Sequence, residues 1–181
     1  MSETLGERYL TDVRSEFRRL KTQAERSLAQ VQDGQLHATL DPESNSLAIL
    51  IQHIAGNMVS RWTDFLTTDG EKPTRNRDGE FEAHAERNRA ELTAIRERGW
   101  SCLFAALDGL KPGDLMRTVV IRGEDFAVVE AIQRQLSHYA AHIGQIVFLA
   151  KHLAGPGWKT LSVPRGQSNA QAWKYREGEK R

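Results

Sequence analysis

Four long amphipathic segments, separated by breaks that each contain glycine and proline, predict an all-α fold, a four-helix bundle. The near absence of β-type alternation points the same way. The 181 residues read as one domain, 1–181, long enough to bury a core, with an irregular C-terminal tail from about residue 155.

The first helix is expected over residues 3 to 32, where Leu5, Tyr9, Val13, Phe17, Leu20, Ala24, Leu28 and Val31 recur every three or four positions. "DGQLHATLDPES" (33–44) supplies turn residues and reads as a connection. The second helix is expected from an N-cap at Ser44 to Ser46 as far as about Leu66, with Leu47, Ile51, Ile54, Met58, Trp62 and Phe65 facing the core. His53, Asn57, Ser60 and Asp64 fall on its polar flank. "TTDGEKPTRNRDGE" is charged and aperiodic, a loop.

A third helix is predicted from about Glu80 to Leu110, with Gly99 as a weak point, and "KPGD" (111–114) breaks it. "RTVVIRG" (117–123) is enriched in β-branched residues and reads as a short strand or extended link before the last helix. That helix runs from near Asp125 to about Leu153 and stops at "GPG" (155–157). In the tail, Trp158, Leu161 and Val163 are candidates for docking on the body.

The charges nearly cancel, 25 basic against 24 acidic, so no general phosphate-binding surface is expected and nucleic acid is not a predicted partner. The charged N-terminus has no signal-peptide core, and no apolar run approaches the roughly 20 residues of a membrane span. The single Cys102 excludes an intramolecular disulfide and reads as a small core residue. A cytoplasmic, soluble protein without a membrane partner is the expectation.

The fourth helix carries the most informative stretch, "SHYAAHIGQIVFLAKHL" (137–153). His138 and His142 project from adjacent turns, close enough to share a divalent ion, and Gln145 lies three residues further on. Two unpartnered imidazoles in so apolar a helix would each cost desolvation. His53, in "ILIQHIAGNM", offers a third ring from another helix, the way bundles assemble internal metal sites. Two other readings stay open at this point: hydrogen-bonded or surface histidines at 138 and 142, and a solvated flank at His53. His152 is read as a C-terminal charge on its helix, and His37 and His84 as surface residues. Leu136, Tyr139, Ala140, Ile143, Val147 and Ala150 form a second apolar face, to be covered by another subunit in a homodimer, by the tail or by the third helix. No HExxH motif, phosphate loop or serine elbow is present.

Together, the histidine of the second helix, "HYAAHIGQI" on the fourth, "LAILIQHIAGNMVSRWTDFLTTDGEKPTRNRDGEF" (47–81) and "LSVPRGQS" (161–168) resemble the DinB-like (YfiT-like) superfamily of metal-dependent enzymes, and more closely an uncharacterised bacterial branch of it. The resemblance spans about residues 1 to 168. It implies a DinB-like bundle, often homodimeric, in which His53, His138 and His142 bind a divalent metal, commonly zinc or nickel. It also implies a small-molecule reaction, thiol S-transfer from a low-molecular-weight thiol such as bacillithiol or mycothiol, or hydrolysis. The alternative is a non-catalytic metal- or small-ligand-binding stress-response dimer.

Three neutral imidazoles leave the ion its full charge and an open coordination position, the pattern of a catalytic site. Asn57 and Gln145, each one turn from a histidine, are candidates for orienting a ligand or substrate. Arg61, Arg75, Arg77 and Arg165 are candidates for gripping carboxylates of a thiol or substrate. No general base stands out.

Overall fold

Residues 3–167 are described by the computed structural model. Four helices carry the chain: α1 (Leu5–Leu28), α2 (Leu47–Trp62), α3 (Arg89–Gly109) and α4 (Val128–Ala154). Between α3 and α4 stands an antiparallel hairpin, β1 (Thr118–Ile121) and β2 (Glu124–Ala127), with Val119 opposite Phe126. The fold is therefore mostly helical rather than purely so; the β-branched run 117–123 pairs back on itself.

Capping explains where the helices begin. Thr4 and Glu7 form a capping box at α1, Ser46 accepts the Ile49 N–H at α2, and Asn88 with Glu91 caps α3. The Asn88 box also corrects the expected third helix. Residues 80–88 are the end of a 3-10 turn (Asp78–Phe81) and an irregular stretch with a turn in which the Arg87 N–H bonds the His84 carbonyl, because the strong cap lies at 88 and the preceding chain is held against α2 instead. The second helix likewise stops at Trp62, four residues short of expectation, where Thr63 turns extended and Asp64 takes a positive φ of 48°.

Packing runs chiefly between α2 and α3 and between α1 and α4, with α2 also against α4. Phe17, Leu47, Met58, Leu103, Leu107, Val128 and Ile132 are fully buried at the centre. Gly99 is a contact point rather than a weak point: a Cβ there would sit 2.9 Å from the Ala55 Cα, so glycine sets how closely α3 approaches α2. All of α2 except Gly56 and Val59 is buried. This overturns the polar flank expected for it, because residues 70–82 fold over that side. Three polar groups there find partners in the cover, Gln52 with the carbonyls of Glu80 and Glu82, His53 with Glu80, and Ser60 with the Gly70 carbonyl and the Lys72 N–H, while Asp64 lies past the helix end and stays exposed.

The second apolar face of α4 is covered in part within the chain, mainly by α1: Tyr139, Ile143 and Ala150 are buried and Leu136 and Val147 half-buried. Ala140, Ala141, Gly144 and Phe148 remain exposed, Phe148 at 68%. Trp158 packs against the core, Leu161 is half-buried and Val163 is exposed. Cys102 is half-buried at the rim, its Sγ 3.3 Å from the Thr63 hydroxyl, rather than in the core. His37 and His84 are half-buried rather than superficial; His37 Nε2 lies 2.8 Å from the Arg87 carbonyl and His84 Nδ1 3.2 Å from Glu86. His152 is exposed in the last turn of α4. No helix among the described residues is long and apolar enough to cross a membrane.

Candidate metal centre

Helix α2 presents His53, and α4 presents His138 and His142 from adjacent turns. Their ring nitrogens lie within 4.8 Å of one another, an arrangement compatible with a single metal ion. The Nε2 atoms of His53 and His138 are 3.3 Å apart, and those of His142 and His138 are 3.1 Å apart. Tetrahedral zinc with Zn–N bonds of about 2.0–2.1 Å places its ligand nitrogens about 3.3 Å apart, so the spacing fits.

The outer nitrogens decide what faces inward. His53 Nδ1 donates to the Glu80 carboxylate at 3.0 Å, and His142 Nδ1 donates to the Gln145 Oε1 at 2.8 Å. With the proton on Nδ1, a neutral imidazole carries only a lone pair on Nε2. His138 Nε2 can satisfy one such neighbour with a proton, not both. At least two lone pairs therefore converge, an arrangement that is repulsive alone and favourable around a cation.

The pKa directions agree. Burial, then the neighbouring His142 and His53, pushes His138 down to about 4. Burial likewise lowers His142, against the opposing effect of the hydrogen bond it donates to Gln145. For Glu80, burial raises the pKa, but hydrogen bonds from His53 and Arg75 outweigh it and hold the carboxyl below its ordinary value. Glu80 is thus an ionised acceptor behind the ring, the usual orienting partner of a metal-ligating histidine. Arg75 clamps it with two bonds of 2.7 Å and reaches Glu71 at 3.1 Å. Phe81 lies against the His53 ring, centroids 4.6 Å apart.

Gly56, one turn after His53, makes room for that carboxylate. A Cβ at 56 would lie 2.3 Å from a Glu80 oxygen. On the other side, Trp62 Nε1 donates to the Tyr139 hydroxyl (3.1 Å), which donates to the Asn57 Oδ1 (2.8 Å). This buried chain ties α2 to α4 beside His138, and burial raises the Tyr139 pKa so that its phenol stays neutral.

The histidines open into a cavity of about 300 Å³ that is also lined by Asn57, Arg61, Arg75, Arg77, Phe81, Arg122, Arg134 and Gln135. Of the residues expected at the site, Asn57, Arg61, Arg75 and Arg77 line this cavity and Gln145 bonds His142 directly. Arg75 is turned to Glu80 and Glu71 rather than left to grip a substrate. Arg165 is exposed in the C-terminal turn and does not line the cavity, because α4 carries the chain on to Ala154, well past His138, before it turns away.

Glu80, Arg122, Arg134, Gln135 and Tyr139 escaped the sequence reading as site residues. Arg134 and Gln135 carried a signal, standing four and three residues before His138 on the same helical face. Glu80 and Arg122 carried none, since only folding brings their loops to α2.

No curated protein matches the sequence. The model of a family described as "Protein of unknown function (DUF1572)" matches residues 4–167, nearly the whole described chain. The chain belongs to that family.

Proposed function

We propose that the chain is a metal-dependent enzyme of the DinB-like type, holding zinc or nickel on His53, His138 and His142 and acting on a small molecule. The observation that carries this reading is the convergence of three Nε2 atoms, two of them kept unprotonated by the hydrogen bonds at their own Nδ1. A divalent ion held by these three neutral histidines would supply Lewis-acid chemistry, acidifying a thiol or water brought to it.

The protein supplies the rest. Glu80 and Gln145 fix two ring orientations, and the Trp62–Tyr139–Asn57 chain fixes the approach of α2 to α4. Phe81 packs against the His53 ring. Among the described residues, no carboxylate lines the cavity. That favours a nucleophile activated by the ion itself, and transfer of a low-molecular-weight thiol to an electrophile ranks ahead of hydrolysis, which gains more from a separate base. The same lack of a base supports a second reading, a non-catalytic metal- or small-ligand-binding protein.

Elemental analysis of the purified protein, followed by turnover assays with a panel of thiols and electrophiles, separates these readings. The enzyme reading expects about one equivalent of zinc or nickel per chain, and its loss together with activity in His142→Ala. Metal without turnover across the panel leaves the binding protein; no metal in the wild type removes both.

A further inference from the structure

Among the described residues, the cavity next to the histidines is lined by five arginines, Arg61, Arg75, Arg77, Arg122 and Arg134, and by no carboxylate. Two acids lie behind them: Glu80, taken up by Arg75, and Glu71, 3.1 Å from Arg75, 3.2 Å from Arg122 and 3.6 Å from Arg61. Arg77 and Arg134 lie over the rings of Phe81 and Phe126, and among the described residues no carboxylate is within ion-pair distance of either. Five guanidinium groups against these two carboxylates and Asp69, which also feels Arg61, leave a surplus of positive charge before any metal ion is added.

Arg61 is the most telling of the five. Its side chain is 3% exposed, and its Nε and Nη1 have no hydrogen-bond partner. Burial is the main cause lowering its pKa, yet a guanidinium stays charged, so donors are held in the cavity wall with little to receive them. Gln135, 2% exposed, adds a buried amide oxygen without a partner in the same wall. A buried charge of this kind is costly unless a ligand completes it. Arg122 is held at the hairpin tip with φ 57°, a strained conformation for a non-glycine residue, while the Asp69 carboxylate receives its N–H and that of Gly123 at 2.9 and 2.8 Å.

We infer that the site takes a small organic anion whose carboxylate or phosphate oxygens are received by Arg61, with Arg77, Arg122 and Arg134 drawing it in from the rim and Gln135 accepting from a hydroxyl or amino group of the same ligand. Which end of the ligand reacts rests on the metal reading above: the acid is held by the arginines, and the remainder of the molecule extends to the three histidines.

The test is calorimetric titration of the zinc-loaded full chain with succinate and with glycerol 3-phosphate, each beside its uncharged counterpart, succinamide or glycerol. One anion is expected to bind at least about tenfold more tightly than its counterpart, and Arg61→Gln to remove about that factor. The anion that shows the preference identifies carboxylate or phosphate as the group received. The double variant Arg77→Gln/Arg134→Gln changes only exposed side chains, so it tests the inference even if Arg61→Gln does not fold; it is expected to weaken binding and flatten its salt dependence. Arg165→Gln is the control and is expected to bind as wild type. Equal binding of both anions and their neutral counterparts overturns the inference, as does a preference that survives in both arginine variants. Zinc content measured on the same samples keeps the two ideas apart. Zinc without anion preference sinks this inference alone, whereas an arginine-dependent preference without zinc supports it and sinks the metal reading.

Discussion

Replacing Gly56 by alanine perturbs the centre without touching a ligand. The new Cβ would lie 2.3 Å from a Glu80 oxygen and 2.7 Å from its carboxyl carbon. Ordinary contact begins near 3.4 Å, so the carboxylate must retreat by roughly 1 Å. The clashing oxygen is Oε1, and when the carboxylate retreats as a unit it carries Oε2, which holds the 3.0 Å bond to His53 Nδ1, toward about 4 Å, beyond hydrogen-bonding range. Loss of such an orienting partner weakens metal binding by about 10–100-fold. Alanine also favours the helix over glycine by about 0.8–1 kcal/mol, so the metal-free protein is not expected to melt earlier on propensity grounds. The signature is a split: an unchanged or higher melting temperature in chelator together with weaker zinc. Competitive titration against a chromophoric chelator at pH 7.5, with Glu80→Gln in parallel, measures it. Zinc affinity in Gly56→Ala within about twofold of wild type would refute the argument that Glu80 orients His53.

Two further outcomes are expected. Tyr139→Phe leaves the buried Trp62 N–H and Asn57 oxygen unpaired and should cost about 1–3 kcal/mol in urea unfolding; a loss near zero would show that water replaces the hydroxyl. In chelator, stability should fall with acidification from pH 6.5 to about 4, because over that window an unfolded chain protonates the equivalent of His138 and the folded one does not. Glu80, whose folded pKa is lowered, acts in the same direction, its contribution being lost as pH falls through that lowered value. Urea midpoints that rise toward pH 5 would mean that the fold accepts protonated rings at this site.

Much of the fold was legible because helix periodicity and capping are local. The stripe from Val13 to Leu28, the Ser46 cap and the GPG stop need no knowledge of the rest of the chain, although the expected Leu5 is exposed and Leu10 is buried instead. The spacing of His138 and His142 is likewise a property of one helix, which is why the pair and its neighbour Gln145 stood out. The third helix was drawn too long because polar residues 80–88 were compatible with a helix, and only their attachment to α2 holds them out of one.

By itself, the sequence determined four helices, their order and which histidines share a face. The tertiary structure alone decided that a charged, aperiodic loop closes over the polar side of α2 and brings Glu80 to His53 and Arg75 to Glu80. It also decided that Arg122 and Arg134 line one cavity with Arg61, while Arg165 stays outside it. The physical reason is burial: polarity written along a chain shows only that a group needs water or a partner. Which of the two it receives depends on segments distant in sequence and on small residues such as Gly56 that let them approach.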